Sequence, residues 1–392
     1  MAVNTMIQLA PNAAMTYGFK AGASHKVNQF KSLFSIYEQT KTHQPSAYQN
    51  KLNFSRTDLY VNGFFDYYFK HFQLGAKLEA RQLFLAPEDL SSTVNDQTSY
   101  LSPQLSATYH ISDQQEVSIT YTKRFRSVMP SMRFTAPILT NLRAFVLGRQ
   151  NFDLLASENW ALSYSLGEWT DPFNLTIIGS YSNDHDYYTP ASTIKQNYSL
   201  NRKVLAKDQT RLRLRTQANY YLNALSSNLN LGLSYRRKDY QRAVNGSNFT
   251  AILAQNWRID AGLSSAFNGG FNFNLGGQYS HAIIQAQQQH KVDFLKTKAR
   301  FNYQFTPDFA LQTSVNYLTF FDAAIGKDTY FIDLDAKYKF RLLNQDFELH
   351  LKANNLLNTT TFTRINLSDT YYAQESYRLL PRMVFIGLNW RF

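Results

Sequence analysis

The chain has 392 residues, of which 44% are hydrophobic and 15% aromatic, while only 17% are charged, below the roughly 25% of an average soluble domain. That length fits two or three ordinary domains or one large β-barrel, and the aromatic content argues against disorder. No apolar run reaches the roughly 18 residues a membrane-spanning helix needs, the absence of cysteine removes disulfides, Cys-ligated zinc, iron–sulfur clusters and thiol nucleophiles, and the net charge of +12 is dispersed along the chain instead of forming the basic block a nucleic-acid binder carries.

The N-terminus, MAVNTMIQLAPNAAMTYGF, lacks a charged segment followed by a long apolar one, so no secretory signal is read there; an exported chain would have its start missing or already processed. Residues 1–53 carry one expected strand over 12–24 with a long loop to 53, or up to three strands if 1–9 and 28–38 also pair. From residue 54 onward, alternation of period two dominates. In 211–220, Leu212, Leu214, Thr216, Ala218 and Tyr220 oppose Arg211, Arg213, Arg215, Gln217 and Asn219. In 295–305, Leu295, Thr297, Ala299, Phe301, Tyr303 and Phe305 share one face, and Lys296, Lys298, Arg300, Asn302 and Gln304 the other. In 330–342 the apolar row from Tyr330 to Leu342 opposes Phe331, Asp333, Asp335, Lys337, Lys339 and Arg341. These segments match the roughly 9–11 residues of a tilted transmembrane strand better than the 5–6 of a soluble one.

Connections alternate in length. Short turns are expected at 110–116, 166–172, 222–227, 266–270, 305–309 and 342–346, and longer loops at 86–99, 126–156, 184–208, 240–248, 283–290, 321–328 and 358–380. Outer-membrane barrels place short turns at the periplasmic end and long loops outside. Residues 1–392 are therefore expected to form an all-β, transmembrane, antiparallel up-and-down β-barrel in the outer membrane, with about 15 strands after residue 54 and roughly 16–18 in total. The aromatic runs Tyr67–Phe69, Tyr187–Tyr188, Tyr220–Tyr221 and Tyr371–Tyr372 fall at or beyond expected strand ends, where interfacial girdles belong.

The basic columns Arg211, Arg213 and Arg215, Lys296, Lys298 and Arg300, and Lys337, Lys339 and Arg341 would then face the lumen. There they either hold a plug or attract an anionic ligand, or they keep the wall wet and pair with Asp333, Asp335 and Glu348 across strands. Loop 126–156 is the best ligand-facing candidate, with Arg126, Arg133, Arg143 and Arg149 among Phe134, Phe145 and other apolar residues, the types that anchor interfaces. It equally fits an inward fold that constricts the lumen, or contact with acidic lipopolysaccharide. Catalytic signatures are absent. Asp184-His185-Asp186, on an expected loop, lacks a nucleophile, and the remaining histidines have no metal-ligand spacing. No enzyme activity, metal or cofactor is expected.

The final segment from Pro381 to Phe392, with Gly387, Trp390 and Phe392 in place, resembles the closing strand of outer-membrane barrels, whose terminal aromatic belongs to the signal read by the barrel-assembly machinery; Phe385 stands where a polar residue is more usual. Asn355-Leu356-Leu357-Asn358 resembles the Asn-Leu-Phe-Asn element before the last long loop of TonB-dependent receptors. Leu101–Tyr109, Tyr121–Arg126 and Pro130-Ser131 resemble mid-barrel strands of that group, and Asn151–Glu158 its Gly-Asn-Pro-Asp-Leu-x-Pro-Glu strand entry, with Phe152 in place of proline and one residue inserted. The resemblance covers the chain from about residue 54 and implies import of a bulky ligand across the outer membrane, with a plug and TonB as partners. Neither a plug nor a TonB-contacting segment is recognisable, so the chain resembles the barrel portion of such a receptor. The alternatives are a passive porin-like channel and a barrel-anchored surface interaction or assembly protein. The expected partners are lipid, lipopolysaccharide and the assembly machinery.

Overall fold

A computed structural model describes residues 2–38, 41–88, 96–127, 134–149, 154–246, 248–321, 328–343, 345–368 and 372–391. The chain begins with β1 (Ala2–Asn12) and β2 (Met15–Ser32), then a small hairpin of β3 (Ile36–Glu38) and β4 (Lys41–His43). Next come β5 (Asn50–Phe69), β6 (Phe72–Glu88), β7 (Asp96–Ser112) and β8 (Gln115–Ser127). Two short strands, β9 (Ile138–Asn141) and β10 (Ala144–Leu147), precede β11 (Leu154–Leu166), β12 (Phe173–Ile194), β13 (Ser199–Leu222), β14 (Ser227–Val244) and β15 (Thr250–Ser265). The order continues with β16 (Phe271–Gln285), β17 (Gln289–Thr306), β18 (Phe309–Phe320), β19 (Thr329–Leu342) and β20 (Gln345–Asn354), then the hairpin of β21 (Thr361–Leu367) and β22 (Tyr372–Arg378), and finally β23 (Met383–Arg391). Among the described residues one sheet holds 19 strands, and β3–β4 and β21–β22 form separate pairs. Setting aside the two four-residue strands β9 and β10 leaves seventeen long ones, 15 of them from β5 onward, as the alternation predicts.

One compact unit comprises Met1–Ser163, Gly179–Leu212 and Lys238–Ile252. The strand expected over 12–24 is two strands: β1 and β2 pair from Ala2↔Ser24 to Asn12↔Met15, and the turn is closed by the Ala14 N–H donating to Asn12 Oδ1 at 3.0 Å. The register of β5, β6 and β7 sorts side chains by face. Val61, Ala80 and Leu101 form one apolar row, and Phe65, Ala76 and Leu105 another; Val61, Phe65, Leu101 and Leu105 are exposed, as lipid-facing residues must be. The opposite face carries Tyr60–Arg81–Tyr100 and Asn62–Glu79–Ser102. A one-residue slip would drive Arg81 and Glu79 into hydrocarbon, which fixes the register.

The second unit comprises Tyr164–Ile178, Arg213–Arg237 and Leu253–Phe392. Phe273, Phe301, Thr313, Leu334, Ala353 and Val384 form an outward row across six strands, and Asn272, Asn302, Gln312, Asp335, Lys352 and Phe385 form a row on the polar face. Near the short turns, ring contacts run from Tyr303 to Phe305 (4.0 Å), Phe309 (5.0 Å), Tyr338 (6.3 Å), Phe340 (5.9 Å) and Phe347 (5.4 Å). This is the aromatic girdle expected at a membrane interface.

Asn355 and Asn358, with φ of 53° and 55°, explain why asparagine occupies both ends of the Asn-Leu-Leu-Asn element: it tolerates left-handed backbone and offers a short hydrogen-bonding side chain. The Asn355 N–H donates to Asp333 Oδ1 (2.8 Å), and its amide donates to the carbonyls of Thr359 (2.9 Å) and Leu380 (3.1 Å). Asn358 Oδ1 accepts the N–H of Arg382 at 3.0 Å. The element clips the end of β20 to the start of β23.

The six short turns lie where expected, but several expected loops are partly strand. β12 and β13 run to Ile194 and from Ser199, so the loop expected over 184–208 shrinks to 195–198. The loops expected over 240–248 and 283–290 shorten likewise, and 358–380 contains β21 and β22. At 22 and 24 residues, β12 and β13 exceed by about twofold the 9–11 residues that cross a bilayer. Beyond the lipid both faces meet polar surroundings, so alternation fades while the hydrogen-bonded ladder continues. Asp184-His185-Asp186 therefore sits within β12, with Asp184 buried. Tyr187 and Tyr188 are likewise mid-strand, and Tyr187 is 5% exposed; Tyr187 bonds the carbonyl of Gln241 at 3.2 Å and serves no girdle.

Candidate functional site

In the first unit, residues 134–149, the described part of the segment between β8 and β11, fold onto the polar face. Asn50, 4% exposed, donates to the carbonyl of Ala136 (3.0 Å) and accepts the Ala136 N–H (2.9 Å). Phe134 packs on Phe30 at 5.9 Å. Phe30 belongs to the inward row of β2, because its neighbour pair Asn28↔Phe54 places it on the same side as Phe54, Asp58 and Tyr60. β9 and β10 form a short hairpin whose tip residue, Leu142, is exposed. β10 then pairs in parallel with the start of β13, from Ala144↔Ser199 to Leu147↔Arg202, and the Ser199 N–H donates to the Arg143 carbonyl at 2.7 Å. Phe145 meets Phe34 (6.4 Å), Tyr48 (5.9 Å) and Tyr198 (6.4 Å). The segment is thus a strap fixed at one end on β5 and at the other on β13.

Beneath the strap the polar face is cross-linked by charge. Asp58, whose side chain is 8% exposed, accepts Arg56 at 2.8 Å and Arg81 at 3.2 Å. Arg81 also pairs with Glu79 at 2.7 Å, and Arg56 donates to Ser127 Oγ at 3.1 Å, joining the wall to the root of the strap. Phe54, Leu83 and Leu85 are buried on this face, so its outer end is covered by protein. Along β12 and β13, Asp184 accepts Arg211 and Gln209, each at 2.6 Å. At the rim, where β13 turns towards β10, the end of β12 pairs in parallel with β14 through Ala191↔Ala243 and Ser192↔Val244, and Asn245 Oδ1 accepts the Ile194 N–H at 2.6 Å.

The residues expected to face a ligand divide accordingly. Phe134 and Phe145 anchor the strap, which is the inward arrangement among those the sequence allows. Arg126 and Arg143 are exposed, the guanidinium of Arg149 lies over the ring of Tyr188 at 4.4 Å, and Arg133 lies outside the described residues. Asn50, Phe34 and Tyr48 went unrecognised, since single polar and aromatic residues distant in sequence carry no local signal; Tyr188 stood out only as part of an aromatic pair.

Of the nine basic residues expected on the lumenal face, Arg211 pairs with Asp184 and Arg341 with Asp346 at 3.4 Å. The other seven make no ion pair among the described residues. The carboxylates that could neutralise them are engaged elsewhere: Asp335 with His350 at 2.8 Å, and Asp333 with the Asn355 N–H. Lys339 stands directly opposite Glu348 in register without closing an ion pair. On the closing strand, Trp390 opposes Phe347 on the apolar face and Gly387 opposes His350 on the polar one; Phe392 lies outside the described residues. No group of metal-binding side chains occurs among the described residues.

No curated protein matches the chain. Among solved structures it is similar to the ferric-catecholate import receptor Fiu of E. coli K12, with a TM-score of 0.39, 13% identity and coverage of 99% of this chain and 63% of that one. It is also similar to the ferric yersiniabactin uptake receptor FyuA from Yersinia pestis, with a TM-score of 0.39, 11% identity and coverage of 100% and 70%. For the copper transporter OprC the TM-score is 0.46, with 10% identity and coverage of 100% and 71%. The chain therefore spans under two thirds of the length of the first of these proteins. The family described as outer membrane protein beta-barrel matches residues 6–295 and 271–390, and with its lipid-facing rows and aromatic girdle, the chain belongs to that family and resides in the outer membrane.

Proposed function

We propose that the chain is the wall of an uptake barrel resembling TonB-dependent receptors, which admits a bulky anionic ligand from the extracellular side. The observation that carries this reading is the set of seven basic residues on the polar face without ion-pair partners among the described residues. Cations lining a path raise the local concentration of anions and speed their entry. An anchor needs a wet interior but gains nothing from one left positively charged. Arg126 near the end of β8 and Arg143 and Arg149 on the strap are the residues proposed to meet the ligand first, and a plug and TonB are the proposed coupling partners. Gly387, Trp390 and Phe392 are proposed to be read by the barrel-assembly machinery, and the outer rim to contact lipopolysaccharide.

A second reading, a passive channel, is favoured by the strap, because an inward segment fixed at both ends narrows a pore without any coupling. Accumulation of radiolabelled anionic solutes, such as metal chelates, nucleotides and acidic oligosaccharides, in cells with and without the protein separates these readings. Uptake that depends on the protein and is abolished by a protonophore supports coupled import. Uptake insensitive to the protonophore supports the channel, and no difference in any solute rejects both in favour of an anchor.

A further inference from the structure

The β12–β13 hairpin changes sides as it leaves the wall. Within the wall the order is β11, β12, β13, β14, and Thr210 of β13 still reaches Asp239 Oδ2 of β14 at 3.3 Å. Towards the tip it is β12 that meets β14, through Ala191↔Ala243 and Ser192↔Val244, while β13 meets β10 of the strap, from Ala144↔Ser199 to Leu147↔Arg202. The two strands stay joined to each other there, with the Lys195 N–H donating to the Tyr198 carbonyl (2.9 Å) and Ser192 Oγ to Asn201 Oδ1 (2.5 Å). The hairpin has therefore made a half-turn, and the order at its tip is β10, β13, β12, β14. Because β12 and β14 run the same way, their pairing is parallel, the mark of a strand skipped over. The turn is made at Asp208, whose φ of 62° is left-handed; one such residue bends a strand and strengthens its twist. The crossing is packed: Thr189, Ser192 and Ala206 are buried, Thr189 Oγ1 donates to the Gln241 carbonyl (2.7 Å), and Arg242 donates to Ser192 Oγ (2.7 Å).

We propose that this hairpin is a two-position latch for the strap. In the crossed position, the one described, β13 carries β10. In the other, Asp208 is extended, the half-turn is undone, and β13 continues along β14 in the register set by Thr210 and Asp239, which brings Ala206 opposite Ala243. That position gives up the β12–β14 and β10–β13 ladders and gains the upper β13–β14 ladder. Backbone ladders are exchanged for a backbone ladder, the condition under which two packings of one sequence lie close in free energy. Without β13, β10 loses its partner and the strap is held only at its Asn50 end. The latch itself does not depend on transport; only the widening of a path by the released strap rests on the proposed uptake or channel function.

The chain has no cysteine, so pairs introduced into the full protein in detergent report each position by disulfide formation. Opposed residues on neighbouring strands lie about 4.5–5.5 Å apart, within disulfide reach. A191C/A243C should cross-link readily and leave 134–149 resistant to protease. A206C/A243C should cross-link more slowly and, once oxidised, make 134–149 cleavable, with protection restored by reduction. Valine resists a left-handed backbone that asparagine tolerates. D208V added to A206C/A243C should therefore raise the rate of cross-linking about tenfold, whereas D208N leaves it unchanged. Heat-modifiable gel migration and strand circular dichroism restrict the comparison to folded protein. A folded A206C/A243C that does not oxidise, or that oxidises with 134–149 still protected, overturns the proposal, and so does a D208V variant that behaves like D208N. A latch that exchanges in a protein that moves no solute would overturn the transport readings alone.

Discussion

Asn50 makes two hydrogen bonds to Ala136 from a buried position, and N50A would leave the Ala136 N–H and carbonyl without those partners. A loss of about 1–3 kcal/mol in strap docking is expected, seen as cleavage of 134–149 by protease at a concentration that spares the parent, with gel heat-modifiability retained. Asp58 is the counterpart in the wall, since one carboxylate holds Arg56 and Arg81. D58N should cost about 2 kcal/mol, short of the 3–5 of a fully buried pair, because both arginine side chains keep 27% exposure; chemical unfolding in detergent measures it. Asp328, outside the strands, accepts hydrogen bonds from Thr319 above all, and from Tyr317 and Tyr330, which hold its carboxyl below the ordinary 3.8. A depressed folded-state pKa means the stabilisation is complete above about 3.8 and lost as pH falls through the lower folded-state value. Acid loosening of that loop end, followed by hydrogen exchange at Thr329 and Tyr330, should be present in the parent and absent in D328N. Residue roles of this kind were the least legible part of the sequence. Arg and Phe on a long loop have the same composition whether they meet a ligand or the protein's own wall, so the packing of Phe134 on Phe30 and of Phe145 on Tyr48 was not legible there.

At the scale of elements, legibility followed the environment on the two faces of each strand. In 295–305 and 330–342 one face meets lipid and the other does not, and the alternation matched the strands β17 and β19 and their partners. Above the membrane this contrast disappears. In β12 the last exposed large apolar residue before Ile194 is Tyr181, and beyond it the buried positions include Asp184, Thr189 and Ser192, a pattern that reads as loop although the ladder persists. The Asn355–Asn358 clip was visible as a motif but not as a device, because its function lies in bonds to Leu380 and Arg382, distant in sequence. N355G keeps the left-handed backbone and loses the side-chain bonds, whereas N355A loses both. Refolding yield into detergent should therefore fall in the order parent, N355G, N355A, with the alanine variant costing about 1–2 kcal/mol more than glycine for the left-handed conformation. Equal yields for the two variants would assign the effect to the side chain alone and remove the backbone argument.

For the whole molecule the decisive quantity is charge on the polar face. The chain carries +12 net, and Arg213, Arg215, Lys296, Lys298, Arg300, Lys337 and Lys339 lack ion-pair partners among the described residues. A wall that neutralised its own cations would conduct with little preference, whereas this one should favour anions at low ionic strength and lose the preference as salt shortens the Debye length to about 3 Å at 1 M. The protein reconstituted in a planar bilayer under a potassium chloride gradient should therefore show a reversal potential of the anion-selective sign. The triple variant K296Q/K298Q/R300Q should move it towards zero without altering strand content. On the proposed channel reading, removing 134–149 should raise conductance and leave the sign unchanged, because none of the seven basic residues without an ion pair lies on the strap. A cation-selective sign in the parent would mean that the basic rows do not face the permeation path, and both the uptake and the channel readings would lose the observation on which they rest.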